Sequence, residues 1–137
     1  MTPDMVSDAQ VLFSTRLHEL YPDMPVFFSN TDVTDQIGYY AVFHVLPGDT
    51  LPINLGITAK SRNVGLIQID VIGPLDVGRG EAFKRAFSLG KVFRRQVRTV
   101  TTEGQVTYKD PSVADAGEVR GKHMEMVRIP YRYDFVG

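Results

Sequence analysis

Lys122-His-Met-Glu-Met-Val-Arg-Ile-Pro-Tyr-Arg-Tyr-Asp-Phe135 is the longest run of strand-forming residues in the chain, and it alternates. In an extended backbone, successive side chains point to opposite faces. Met124, Met126, Arg128, Pro130, Arg132 and Asp134 then share one face, and Glu125, Val127, Ile129, Tyr131, Tyr133 and Phe135 the other. The second face is almost wholly apolar or aromatic, the period-two pattern of a half-buried strand. Pro130 lacks a backbone donor, which predicts a sheet edge or a bulge at that point. The preceding segment, Ser112–Val119, reads as a strand too, and Arg120-Gly121 turns it into the closing one.

Two further strands lie upstream. Tyr39–Leu46 is rich in aromatic and β-branched residues and ends at Pro47-Gly48-Asp49. Val64–Ile72 is the other; Val64 falls out of phase with Ile67, Ile69 and Val71, and Gly65 suggests a bulge. Residues 47–63 join the two, with Leu51, Ile53, Leu55 and Ile57 in alternation. That pattern fits either an extended hairpin arm that meets a partner or a segment folded back on its own core. Val26–Phe28 is a candidate short strand, and residues 99–109 read as a small hairpin turning at Glu103-Gly104.

Two helices complete the pattern. Ser7-Asp-Ala-Gln10 reads as a capping box, with Ala9, Leu12, Phe13, Leu17 and Leu20 at helical spacing, so a helix is predicted from about Asp8 to Leu20, before Pro22. A second is predicted from Glu81 to about Val97, with Ala82, Phe83, Ala86, Phe87, Gly90, Phe93 and Val97 as its apolar stripe. Lys84, Arg85, Lys91, Arg94, Arg95 and Arg98 make the rest of its surface basic. The order of elements predicts one α+β domain over residues 1–137: an antiparallel sheet, two helices on one face, and a long loop or arm between the first two main strands.

Composition narrows the function classes. At 137 residues, with 43% hydrophobic and 23% charged content, the chain has the size and balance of one soluble domain. A net charge of −1 gives no global attraction to nucleic acid or anionic membrane. No cysteine is present, which excludes disulfides and thiolate sites and fits a reducing compartment. No apolar stretch approaches membrane-spanning length, and the N-terminus carries no signal-peptide pattern.

Chemistry-bearing motifs are missing. No serine lies in a Gly-x-Ser-x-Gly elbow. His18, His44 and His123 fall on different elements without metal-ligand spacing, and His44 reads as a hydrogen-bonded or rim histidine. Gly78-x-Gly80 precedes a helix, but position 83 is Phe and no Gly-Lys-Ser/Thr follows, so neither nucleotide-binding pattern is complete. The residues point to no catalytic group, cofactor or metal.

The layout does have a resemblance. Val-Leu-Pro-Gly-Asp (45–49), Leu-Gly (55–56), Arg-Asn-x-Gly-Leu-Ile-Gln-Ile-Asp-Val (62–71), Pro-x-Asp-x-Gly-x-Gly (74–80), Val-Phe-Arg (92–94) and Val-Arg-Ile-Pro-Tyr-Arg-Tyr (127–133) follow in order. Over about residues 5–136, the chain resembles the phage tail-completion proteins of the tail terminator type (minor tail protein U type) of lambda-like, long-tailed phages. The resemblance implies a virion tail protein, assembled in the host cytoplasm as a hexameric ring. The ring caps the tail tube, stops its polymerisation and offers a surface to the head connector protein. Its implied partners are further copies of itself, the tail tube protein and the connector, with DNA passing through and no membrane.

A ring needs two different matching surfaces on each subunit. The connection between the strands, with Asp49, Leu51, Ile53, Leu55, Ile57, Lys60 and Arg62, and the edge of the final strand are the candidates for subunit or tube contact. Arg94, Arg95 and Arg98, with Lys84 or Arg79 as substitutes, are candidates for the ring lumen or an acidic partner. A head–tail connector or neck protein is the neighbouring reading. A small cytoplasmic enzyme or ligand-binding module is the reading from another class, and would need an enclosed polar pocket bearing His44 or Asp70.

Overall fold

A computed structural model of the chain describes residues 3–28, 38–53, 60–75, 78–101, 104–119 and 121–136. In chain order the elements are α1 (Pro3–Leu20), β1 (Val26–Phe28), β2 (Tyr40–Pro52), β3 (Lys60–Pro74), α2 (Gly80–Gly90), β4 (Val97–Thr101), β5 (Gly104–Tyr108), β6 (Ser112–Val119) and β7 (Lys122–Val136). The class is α+β. The sheet runs β1-β2-β3-β7-β5-β4, with β6 also on β7. It is mixed rather than purely antiparallel, because β1 pairs parallel with β2.

The quoted stretch forms β7, and β7 is central. β3 pairs along its whole length, from Pro74 opposite Lys122 to Lys60 opposite Val136. On its other side, β6 pairs the first half as far as Ser112 opposite Arg128, and β5 pairs the second half from Tyr108 opposite Tyr131. The expected alternation is present: Glu125, Val127, Ile129, Tyr131 and Tyr133 are buried. The expected open edge at Pro130 is not. Pro130 lies where the neighbouring chain crosses from β5 to β6, and its carbonyl accepts the Lys109 amide at 2.9 Å. In an antiparallel ladder a residue's N and O face the same neighbour, so the missing donor falls in the gap between two partner strands and breaks no ladder bond.

Helix α1 starts earlier than its capping box suggests. Pro3 suits the first turn, where an amide would lack a partner in any case, and Asp4 suits the dipole there. Ser7 is therefore inside the helix. Met5, Ala9, Phe13 and Leu17 form its buried stripe at intervals of four. Helix α2 ends sooner than predicted. A Cβ on Gly90 would meet Val127 Cγ1 at 3.0 Å and Pro111 Cβ at 3.2 Å, so the helix comes directly against β7 there. The amides of Val92, Phe93 and Arg94 then bond three residues back, and Arg95 takes φ +55°, which ends the helical path.

Both helices contribute to one core with the inward face of the sheet. Phe13, Phe43 and Phe93 stack in it at centroid distances of 4.9 to 6.2 Å. Each such ring pair adds about 0.5–1.5 kcal/mol beyond its area burial. Ala82, Ala86, Leu89 and Gly90 are the buried positions of α2. Phe83 and Phe87, placed in the stripe by the sequence, are exposed instead. A short helix on a sheet buries a limited arc, and the row through positions 82, 86, 89 and 90 occupies it.

Candidate functional site

The described parts of the 47–63 connection, residues 47–53 and 60–63, extend the β2–β3 hairpin as an arm. Beyond Pro47, strands β2 and β3 continue as Thr50 opposite Asn63, Leu51 opposite Arg62 and Pro52 opposite Ser61, and β7 runs beside them to Val136. The Ile53 amide closes the described part on the Lys60 carbonyl at 2.9 Å. The arm is thus a continuation of three strands rather than a free two-stranded ribbon.

A β-bulge sets the arm's base, and it lies on β2 between Pro47 and Thr50, not at Gly65. Asn63, which is buried, holds it. The Asn63 side-chain amide donates to the Gly48 carbonyl at 3.1 Å and to Thr50 Oγ1 at 3.0 Å, and its Oδ1 accepts the Tyr131 hydroxyl at 2.7 Å. Burial pushes the Tyr131 hydroxyl up to about 12, so it stays a donor through the neutral range. Two glycines permit the close approach: a Cβ on Gly48 would lie 2.5 Å from the Val64 carbonyl oxygen, and one on Gly65 would lie 2.5 Å from the Leu46 oxygen and 2.7 Å from the Tyr131 Oη.

The arm's outward face is apolar. Leu46, Val64 and Leu51 (63% exposed) lie on the side of the sheet away from the core, and Ile53 is exposed farther out. Val64's break in phase was the sequence signal for this face. Beside them, Arg62 makes a two-pronged pair with Asp134 at 2.7 and 3.1 Å. That pairing lowers the Asp134 carboxyl below its ordinary range and raises Arg62. Asp49 and Lys60 are exposed on the same arm. The structure therefore brings Asp49, Leu51, Ile53, Lys60 and Arg62 together, while Leu55 and Ile57 lie outside the described residues.

Arg94, Arg95 and Arg98 are not one helical face. Arg94 and Arg95 lie in the turn after α2 and share Asp110, at 3.5 and 2.9 Å. Arg98 lies in β4 and pairs with Asp8 of α1 through two contacts of 2.8 and 3.0 Å. The early end of α2 separates them. Arg98 is consequently an internal tie between β4 and α1 rather than a free surface cation.

Two polar clusters complete the picture. His44 Nε2 lies 3.0 Å from Asp70 Oδ2, and Gln68 donates to Asp70 Oδ1 at 3.1 Å, on the outward face. This is a hydrogen-bonded histidine on a sheet surface, with an amide rather than a nucleophile as the third member. Glu125, fully buried, sits on the apolar face of β7. It accepts Arg79 Nε–H at 2.8 Å and lies 2.8 Å from His123 Nε2. Asp115 stands 3.7 Å from Arg79 and 3.9 Å from His123. Asp115, His123 and Glu125 have metal-ligand character, but Arg79 supplies the cation that a buried carboxylate needs. Among the described residues no helix is long and apolar enough to cross a membrane.

A profile of phage tail terminator proteins matches residues 9–131. The chain belongs to the phage tail terminator protein family. That membership gives it a structural role in the phage tail, as a virion component in contact with other tail components. No curated protein matches the sequence. Among solved structures 23 chains match. One of them, 23% identical, superposes with a TM-score of 0.66 over 100% of this chain and 97% of its own, and shows the same fold.

Proposed function

We propose that the protein is the tail terminator of a long-tailed phage. Copies assemble in the host cytoplasm into a ring of six on the end of the tail tube and stop its growth. The ring leaves a surface for the head connector and a passage for DNA, with no sequence-specific contact. It uses no cofactor and catalyses no reaction. The observation that carries this reading is the arm: a sheet extension braced by a buried asparagine, with an aliphatic outer face turned to solvent. Contiguous exposed apolar surface of that kind marks a binding site. Bracing it at the base preorganises the contact and lowers the ordering cost of association.

The test is assembly itself. Light scattering over a concentration and salt series gives the mass of the free chain, and tube protein polymerised with and without it gives tube lengths by electron microscopy. A ring-sized species, free or on tube ends, with arrested tube growth is the expected result. Tubes that elongate unchecked beside a persistently monomeric chain would overturn the reading. A ring that binds head-connector protein but not tubes would make it a neck protein instead.

A further inference from the structure

The sheet face turned away from the helices carries more than the arm's aliphatic strip. Ladder register fixes which side chains share that face. Lys60, Arg62, Lys122, Arg128 and Arg132 are on it, and Asp70 and Asp134 are the carboxylates among them. With the exposed Asp49 of the bulge added, cations still outnumber carboxylates five to three, on a chain whose net charge is −1. This face is therefore basic against a more acidic remainder.

Its carboxylates are already engaged. Asp70 accepts from Gln68 at 3.1 Å and lies 3.0 Å from His44 Nε2. Asp134 takes Arg62 through two contacts of 2.7 and 3.1 Å. Arg132 stands off from the same carboxylate at 3.9 Å, and its Nε makes no hydrogen bond among the described residues. Arg128 is exposed and has no ion pair or hydrogen bond among the described residues. By contrast, Arg94 and Arg95 are held by Asp110, and Arg98 by Asp8.

The neighbours of Arg128 and Arg132 select the ligand. Four residues apart on one face of β7, the two lie roughly 13 Å apart along the strand, a length over which a duplex presents several phosphates. Ser112 stands opposite Arg128, Thr107 opposite Arg132 and Gln105 opposite Asp134. Arginine accompanied by hydroxyl and amide donors is the set that holds the phosphate oxygens of a nucleic-acid backbone. A protein partner would be marked by apolar surface at the centre of the patch. Here the exposed Leu46, Leu51 and Val64 lie on the β2–β3 side and Val97 on the far edge in β4, which leaves the β5–β6 side of the two arginines polar. No aromatic side chain neighbours either arginine in the ladders, so there is no platform on which a base could stack.

We infer that Arg128 and Arg132, with Ser112, Thr107 and Gln105, form a contact surface for the phosphate backbone of duplex DNA, blind to its sequence. The inference rests on the ring reading: this half of the sheet faces the DNA passage, and the role expected of Arg94, Arg95 and Arg98 moves to it.

Light scattering gives the mass of the protein, and the anisotropy of short fluorescent duplexes is measured against it over a NaCl series. Two duplexes of unrelated sequence should bind alike, with affinity falling as salt rises. Arg128→Gln combined with Arg132→Gln should weaken binding about tenfold at low salt and lower the slope of log K against log salt by about 2. Ser112→Glu, on the exposed edge strand, should weaken binding without removing either arginine. Arg94→Gln combined with Arg95→Gln should leave affinity and slope unchanged. No duplex binding at the lowest salt, or binding that the Arg128/Arg132 double variant and Ser112→Glu both leave unchanged, would overturn the inference. Poly-glutamate that displaces the duplex at equal charge concentration would make this a site for an acidic protein and overturn it equally. A ring that binds no duplex keeps the ring reading and removes this surface; a chain that forms no ring but binds duplex through the two arginines keeps the surface and removes the ring.

Discussion

Replacing Asn63 with alanine tests whether the arm is held at its base by one buried side chain. The substitution removes the acceptor of the Tyr131 hydroxyl and the donor to Gly48 and Thr50. Gly48 and Thr50 are exposed, so water replaces those bonds at little loss. Tyr131 is only 2% exposed, so its hydroxyl loses the Asn63 acceptor where water does not readily replace it. Loss of a buried hydrogen bond costs about 1–3 kcal/mol, and that is the loss expected here. Tyr131→Phe alone leaves Asn63 Oδ1 unpaired and should cost about 1–2 kcal/mol. In the double variant both ends of the bond are gone, so its loss should fall short of the sum by about 1 kcal/mol. Urea unfolding of the four proteins measures this, and hydrogen exchange of residues 46–52 and 60–66 should show the arm losing protection before the core. Additive losses with unchanged arm protection would refute the bracing role of Asn63.

Four other outcomes follow from the same contacts. Tyr108→Phe should be neutral or stabilising by up to about 1 kcal/mol in denaturant unfolding, because the Tyr108 hydroxyl is buried without a partner among the described residues. Gly65→Ala should destabilise by about 1–3 kcal/mol in the same measurement, since its Cβ would meet backbone and the Tyr131 hydroxyl at under 3 Å. Burial raises both Tyr108 and Tyr131 above the ordinary tyrosine value, so folded-state stability is intact below about pH 10 and declines as pH rises through the folded values. Tyrosinate absorbance during alkaline unfolding checks this, and Tyr131→Phe should flatten the decline. Asp134, lowered by Arg62, contributes above about pH 4 and loses that contribution as pH falls through its folded value. Asp134→Asn should flatten the acid limb of a stability-versus-pH curve.

Local periodicity made most of the fold legible. The alternation in β7 predicted its buried face residue by residue, and the Arg120-Gly121 turn predicted the β6–β7 hairpin, where Gly121 takes φ +75°. What failed depended on contacts distant in sequence. Pro130 suggests an edge or a bulge because a missing donor usually marks one. Only the break between β5 and β6, set by Asp110-Pro111, makes it harmless in a central strand. The second helix read too long because its apolar residues continue through Phe93. Those residues are buried, but in a turn whose path is fixed by Gly90 against Val127 and Pro111. Of the two open readings of the 47–63 segment, the described residues follow the extended hairpin, with Leu51 and Ile53 exposed on it. The basic residues expected on the helix lie beyond its end, Arg94 and Arg95 in the following turn and Arg98 in β4, while the exposed row at Phe83 and Phe87 was hidden inside an over-wide stripe.

Strand β7 links the two ends of the molecule through its polar exceptions. Its inward face is apolar except for His123, Glu125 and the tyrosine hydroxyls, and two of these exceptions fasten neighbours outside the strand. At the near end, Glu125 takes Arg79, the residue that also caps the aromatic row of α2, and so ties that row to the sheet. At the far end, Tyr131 takes Asn63 and so ties down the bulge from which the arm departs. A buried carboxylate and a buried amide are both destabilising unless paired, so each fixes its partner in one position. The arm and the aromatic row of α2 are thus tied to one continuous strand, which holds their relative geometry fixed. A closed ring requires a subunit of that rigidity, because a small variation in the angle between its contact faces turns closure into an open helix.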